Sequence, residues 1–290
     1  VDFVDNYDNT MKEPTLLPVS FPNILVAPNN GIAVGMTSRI CSFNLGELCD
    51  ATSLFLKNGN ITVPELLEIM PAPDFSTGGQ LIYDKEKMAD IYSTGVGTFR
   101  VRSKWRVDGN HIEVYEIPYT TTAEKIKDSI VKLVKEGKVK EISDVRDEIG
   151  LNGLTLTIDI KRGAEPDKLM AKLCKSTPLE DTFGCNFNIL IGGVPRTLGI
   201  AEIIEEWSAF RVECLRRNYI YDLGKKSDKL HLLYGLRKIL LDIDKAIAII
   251  RHTENEKDSC DCRIWHADLS ERTEQRRSEA DRTQRAGYHF

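Results

Sequence analysis

Thr98-Phe99-Arg100-Val101-Arg102-Ser103-Lys104-Trp105-Arg106-Val107-Asp108-Gly109-Asn110-His111-Ile112-Glu113-Val114-Tyr115-Glu116-Ile117 is the stretch that sets the fold class. Phe99, Val101, Ser103 and Trp105 alternate with Arg100, Arg102, Lys104 and Arg106, the period of one pleated strand. Asp108-Gly109 is a strong two-residue turn, and His111–Ile117 alternates on the way back, so 98–117 reads as a hairpin. Helical signals flank it. Lys85–Ser93 stops at Gly95. Thr122–Glu136 turns Ile126, Ile130, Leu133 and Val134 inward and closes at Gly137. Further on come a strictly alternating strand at Leu154–Ile160, a helix at Pro166–Cys174, and a strand at Phe187–Ile191 before Gly192-Gly193. Helices interleaved with hairpin strands over 75–195 predict an α+β fold.

Toward the N-terminus, residues 1–30 carry turns and prolines (Pro14, Pro18, Pro22, Pro28) between short apolar runs, the pattern of extended segments and tight turns. Asn44 caps a helix running to about Lys57, with Leu45, Leu48, Cys49, Leu54 and Phe55 on one face. Thr62 caps a second, with Pro64 in its first turn, and Pro71-Ala72-Pro73 ends it. From Gly199 the character changes. No proline occurs up to Lys257, and Leu233, Leu236, Leu240, Ile243, Ile247 and Ile250 form a heptad seam. As one helix, 200–250 is about 75 Å long at 1.5 Å per residue. Such a helix cannot bury itself and calls for a partner helix outside the chain or a second subunit. Residues 258–290 carry six Arg and no Lys, against 12 Arg and 21 Lys before them. They read as a disordered tail or as sequence foreign to the fold.

The chain has 290 residues, 41% hydrophobic and 29% charged, enough for a real core and for more than one domain. A mean hydropathy of −0.28 and the lack of a long apolar run exclude a transmembrane helix. The start has no initiator Met and no basic segment followed by an apolar one, so no signal peptide is expected. Seven scattered Cys without a framework spacing fit a reducing cytoplasm. A net charge of −5 argues against a uniformly basic nucleic-acid binder and leaves room for a local basic surface.

Motifs of ordinary enzyme chemistry are missing. Gly31-Ile32-Ala33-Val34-Gly35 lacks the Gly-Lys-Ser/Thr of a P-loop, and Gly95-Val96-Gly97 leads into a strand, where a phosphate cradle leads into a helix. Cys260, Cys262 and His266 are three possible ligands within the atypical tail; an accident of that tail is the plainer reading. His111, His231 and His252 read as surface or interface residues. Asp144, Arg146, Asp147 and Glu148 read as a solvated charged loop, with metal binding the lesser alternative. Arg100, Arg102, Lys104 and Arg106 are more informative. On one face of one strand they stand about 7 Å apart and suit a phosphate backbone, because each neutralised phosphate releases counterions; an ordinary exposed strand face is the competing reading. Arg211, Arg216 and Arg217 read first as charges flanking a coiled coil.

An ordered series of short motifs carries a resemblance. Val1-Asp2-Phe3-Val4-Asp5-Asn6-Tyr7-Asp8, Lys12-Glu13-Pro14, Pro22-Asn23-Ile24-Leu25, Gly31-Ile32-Ala33-Val34-Gly35-Met36 and Asn44-Leu45 come first. Pro73-Asp74-Phe75, Tyr92-Ser93-Thr94-Gly95, Glu116-Ile117-Pro118-Tyr119, Arg146-Asp147-Glu148, Ile158-Asp159-Ile160-Lys161-Arg162 and Leu241-Asp242-Ile243-Asp244-Lys245-Ala246-Ile247 follow. Together they resemble, collinearly over 1–257, the A subunit of bacterial gyrase and topoisomerase IV, beginning just after that family's active-site tyrosine.

The resemblance implies the breakage-reunion subunit of an ATP-dependent type IIA topoisomerase. Residues 1–18 would end the winged-helix region, 19–198 would form the tower, 199–257 a coiled-coil arm, and 258–290 an atypical tail. In that family a tyrosine attacks a DNA phosphate and a neighbouring arginine stabilises the charge. No Arg-Tyr dipeptide occurs here, so no catalytic residue is assigned and this chain alone is expected to be inactive. The DNA-contacting candidates are Ile32, Arg39, Arg100, Arg102, Lys104 and Arg106, with Ile32 as the wedge that unstacks a base step. No cofactor is expected in this chain, since Mg²⁺ and ATP belong to the B subunit. The implied partners are double-stranded DNA, a second A subunit and the B subunit, in an A2B2 assembly, with no membrane, in the cytoplasm. Two departures stand out. Cys41-Ser42-Phe43 replaces the family's frequent Pro-Pro-His, and 258–290 replaces the continuation toward the dimer gate. The rival reading is a non-enzymatic coiled-coil interaction protein with an α+β partner-binding module.

Overall fold

The computed structural model describes residues 1–148, 150, 153–241 and 243–252. In chain order these residues form β1 (Phe3–Asp5), β2 (Lys12–Pro14), a 3-10 turn at Asn23–Leu25, β3 (Asn29–Ala33), β4 (Met36–Ile40), α1 (Leu45–Asn58), α2 (Val63–Ile69), β5 (Gln80–Ile82) and α3 (Lys85–Thr94). Then come β6 (Val96–Arg102), β7 (Lys104–Asp108), β8 (His111–Glu116), α4 (Ala123–Lys135), β9 (Ile142–Asp147), β10 (Leu156–Ile160), α5 (Pro166–Ser176), β11 (Glu180–Asn186), β12 (Asn188–Ile191), β13 (Val194–Thr197), α6 (Ile200–Leu241) and α7 (Ile243–His252). The fold is mixed α and β with antiparallel pairing, as the interleaved signals predict.

Ser103 corrects the single-strand reading of 98–108. It is fully buried, and the chain changes sheets there. β6 lies in a five-stranded sheet of order β3-β4-β11-β6-β5, whereas β7 pairs with β8 in a four-stranded sheet of order β7-β8-β10-β9. The Ser103 N–H donates to the Leu179 carbonyl (2.7 Å), which holds the crossing point against the start of β11. The Asp108-Gly109 turn does form a hairpin, but of β7 with β8. An unbroken period of two cannot report such a break, because residues on both sides of Ser103 stay extended.

Each sheet has its own core. On the first, Ile40, Phe99, Val101, Phe183 and Cys185 pack with Leu48, Leu66, Met88, Ile91 and Tyr92 of α1–α3 and with Ile200, Ile203 and Ile204 of α6. Phe75 stacks on Tyr119 at 5.6 Å and sits 5.2 Å from Phe183, centroid to centroid. On the second, Ile112, Val114, Ile142, Val145, Leu156 and Ile158 meet Ile126, Ile130 and Leu133 of α4 and Leu169, Met170 and Leu173 of α5. The Glu116 carboxylate ties the two sheets. It accepts from the Gly79 N–H beside β5 (2.6 Å) and pairs with the Lys104 ammonium on β7 (2.9 Å). Partial burial pushes the Glu116 carboxyl up, but these two partners outweigh it and hold it below the usual glutamate range.

Helix signals hold well. Asn44 caps α1 through Gly46 N and Glu47 N, and Thr122 caps α4 through Lys125 N. The Glu65 carboxylate accepts from the N–H and hydroxyl of Thr62 at the start of α2. The inward face of α1 differs from expectation. Leu48, Ala51 and Thr52 are buried, whereas Leu45 and Cys49 are exposed. The charged loop expected at 144–148 is largely strand β9. There Arg146 bonds Asp159 (3.1 Å) across to β10 and pairs with Glu148 (3.1 Å) two residues along its own chain, so the charges offset one another. Strand β11 carries few strand-forming side chains and gave no signal in the sequence.

The first compact unit spans Val1–Cys214 and the second Leu215–Phe290. In the second, Leu233, Leu236, Leu240, Ile243 and Ile247 of the heptad seam are all exposed. The Ile250 side chain, the His252 side chain, the Cys260, Cys262 and His266 group and the 258–290 tail lie outside the described residues.

Candidate functional site

Strands β3 and β4 make a tight hairpin. Ala33 faces Met36 and Ile32 faces Thr37, leaving Val34-Gly35 as a two-residue loop. Gly35 takes φ +81°, which a glycine adopts without the penalty a Cβ brings. The hairpin is rooted in the core. Ile40 and Cys41 are fully buried, and the Phe43 N–H donates to the Leu25 carbonyl (2.8 Å).

Its tip is apolar and bare. Ile32 is 77% exposed, Val34 fully exposed and Met36 39% exposed. The core reading of Ile32 therefore fails in this structure. Leaving an isoleucine in water forgoes about 1.5–3 kcal/mol of burial, so such a tip has that much to gain by entering an apolar environment.

Asn186, at the end of β11, fastens the hairpin from the side. Its amide donates to the Thr37 carbonyl (2.9 Å) and hydroxyl (3.3 Å), and it stands opposite Arg39 in the β4–β11 pairing. Asn188 of β12 also reaches the Thr37 carbonyl (3.5 Å). Arg39 is exposed, and among the described residues no carboxylate lies within ion-pair distance of it.

The four strand cations are arranged differently. Glu180, opposite Arg102 in the β6–β11 register, accepts from both Arg100 (2.8 Å) and Arg102 (2.7 Å). Lys104 faces Glu116 (2.9 Å), and Arg106 faces Glu113 (2.5 Å), across the β7–β8 ladder. Each cation thus meets a carboxylate on the neighbouring strand. They lie on two sheets, so the single basic row expected of them is not present.

Sequence reasoning missed the local charge pattern that sets the hairpin apart. The chain has 44 acidic residues, yet none falls in 14–46 and none in 182–201. The Asn186 and Asn188 bonds to Thr37 bring these two acid-free stretches together. The pattern was readable as a gap in Asp and Glu, but the adjacency was not. Among the described residues, no three His, Cys, Asp or Glu side chains are placed to hold a metal ion, the 144–148 group included.

A family model for the A subunit of DNA gyrase/topoisomerase IV matches residues 1–276. The chain belongs to the DNA gyrase/topoisomerase IV A-subunit family. Among its curated relatives are the DNA gyrase A subunits of Halalkalibacterium halodurans (37% identical over 258 residues, 88% of this chain and 31% of that protein) and Ureaplasma parvum (37% over 276 residues, 93% and 33%). A probable chloroplastic/mitochondrial DNA gyrase A subunit of rice is 36% identical over 262 residues, 88% of this chain and 28% of that protein. The chain therefore spans about a third of the length of these relatives. The family match extends past residue 257, into the stretch whose composition differs from the rest. No helix among the described residues is long and apolar enough to cross a membrane.

Proposed function

We propose that this chain is the part of a type IIA topoisomerase A subunit that holds and bends the DNA segment to be cut. The observation that carries the reading is the bare apolar tip of the β3–β4 hairpin, with Ile32 77% exposed in a stretch of chain, 14–46, that carries no Asp or Glu. An aliphatic side chain held out on a rooted hairpin can enter a base step, unstack it and kink the duplex, while a nearby cation steadies the backbone. Ile32 is the wedge and Arg39 the cation. Arg100, Arg102, Lys104 and Arg106 are secondary contacts, since a phosphate there must displace a carboxylate already in place. In this reading 1–18 closes the winged-helix region, 19–198 is the tower and 199–257 the coiled-coil arm. The exposed leucines and isoleucines of α6 and α7 support an arm that docks on a second copy of the same subunit.

The nucleophilic tyrosine is supplied from outside these 290 residues, since no Arg-Tyr pair stands within them. Mg²⁺ and ATP act on the B subunit, in a cytoplasmic A2B2 assembly. Family membership favours this reading over a non-enzymatic coiled-coil interaction protein.

Bending is the decisive measurement. On a short duplex labelled at both ends, energy transfer should rise when the chain binds. Ile32→Ala should abolish most of that rise and change affinity less than about threefold, since Ile32 brings no charge to the phosphates. Unchanged bending in that variant would remove the wedge. Incubation with supercoiled plasmid, Mg²⁺ and the B subunit should give no covalent complex; a tyrosyl-DNA adduct on this chain would overturn the placement of the nucleophile.

A further inference from the structure

Strands β12 and β13 form a second hairpin beside the first. Asn188 faces Thr197, Ile189 faces Arg196, and Ile191 faces Val194, so the loop is Gly192-Gly193 with φ +57° and +82°. Both loop residues at positive φ are what a right-twisted two-residue hairpin turn demands, and two glycines meet that demand without strain. All of β13 is exposed, Arg196 included, and at the tip Leu190 and Val194 are 64% and 55% exposed. This hairpin repeats the composition of the first, with exposed aliphatics near its loop, one arginine and no acid.

The two hairpins are physically joined. β12 packs beside β4, and Asn188 bonds the Thr37 carbonyl (3.5 Å) on the strand that carries Arg39. Arg196, on the strand paired with β12, therefore lies in the same neighbourhood as Arg39, and both arginines can meet phosphates of one duplex. As at Arg39, no carboxylate of the described residues lies within ion-pair distance of Arg196. A phosphate therefore displaces nothing there except water and counterions. The two hairpins also carry Asn29, Asn30, Thr37, Ser38, Asn188 and Thr197, whose amides and hydroxyls suit phosphate oxygens and minor-groove edges. The charge selects the occupant: two adjoining acid-free segments, each with an arginine that meets no carboxylate among the described residues, within a chain of net charge −5, favour a polyanion over a second copy of this chain.

We infer that the β12–β13 hairpin is a second DNA-contacting arm, in which Arg196 binds a backbone phosphate beside the step engaged by Ile32. This rests on the DNA-holding reading above and adds a site to it.

Salt titration tests the arm on the full chain with a fluorescent duplex. Each phosphate contact contributes about 0.9 to the slope of log affinity against log salt. Arg196→Ala should lower that slope by about one and weaken binding about three- to tenfold at low salt. Arg39→Ala should do the same, and the double variant should lose about two. Arg196→Glu should weaken binding further, and because both arginines are exposed, circular dichroism should show each variant folded. If the native chain binds duplex and Arg196→Ala keeps its slope, the second arm is refuted and the Ile32 reading stands. If the native chain shows no salt-dependent binding at all, the DNA-holding reading itself falls. If Arg196→Ala changes the mass measured by light scattering and leaves the slope alone, the hairpin is a protein contact and the inference is overturned.

Discussion

The paired hairpins β3–β4 and β12–β13 and the cationic strands β6 and β7 make opposite use of arginine. The strands hold four cations within seven residues, and every one faces a carboxylate. The hairpins hold two arginines in all, and neither has a carboxylate partner among the described residues. Counting charge along one strand therefore overstates what a polyanion meets at β6 and β7 and understates what it meets at the hairpins. Cross-strand neighbours decide the field, because an opposing charge at hydrogen-bond distance cancels most of a cation's reach in salty water. The apolar residues divide in the same way. At β6, Phe99 and Val101 are core, whereas the hairpin tips leave Ile32, Val34, Leu190 and Val194 in solvent.

Stability measurements break the comparison most sharply. Ile40→Ala, at the buried root of the first hairpin, should cost about 2–5 kcal/mol in denaturant unfolding. Ile32→Ala on the neighbouring strand should stay within about 0.5 kcal/mol. Equal losses would mean that the tip is packed in solution. Next comes Glu180→Gln, which takes the charge from the carboxylate shared by Arg100 and Arg102 and should cost about 1–3 kcal/mol, since the Glu180 side chain is largely buried while its two arginines are partly solvated. The same variant should strengthen duplex binding at low salt only if those arginines reach phosphate, so its effect on the salt slope ranks them against Arg39.

Acid sensitivity gives a smaller effect. The Glu116 carboxyl is held below its ordinary range, so its contribution is complete above the unfolded value of about 4.3 and is lost as pH falls through the lowered folded value. Glu116→Gln should lower stability at neutral pH and flatten that part of the curve, so that variant and native chain converge in acid; an identical curve would show that Gly79 and Lys104 do not hold the charge. The smallest effect belongs to Arg106→Ala. Its pairing with Glu113 is exposed on the arginine side, so stability should not move measurably, and as a secondary contact it should change the salt slope by much less than Arg39 does.

Much of the fold was legible before any coordinates. Caps at Asn44 and Thr122, the stops at Gly95 and Gly137, and the inward face of α4 were set by local chemistry, and the structure keeps them. The sheet change at Ser103 was not legible, because alternation is the same whichever neighbour a strand takes. β11 stayed hidden because Glu180-Asp181-Thr182-Phe183-Gly184-Cys185-Asn186 carries few residues that favour strands by themselves. Its place between β4 and β6 makes it a strand.

The sequence by itself determined the family, through an ordered run of motifs, together with the helices and the turns that bound them, since caps, glycine stops and periodicity act over a few residues. Only the tertiary structure decided which cations are spent on carboxylates and which hairpins lie side by side. Glu180 is remote in the chain from Arg100, as Asn186 is from Thr37, and pairing across such separations follows from strand register, which no local pattern encodes.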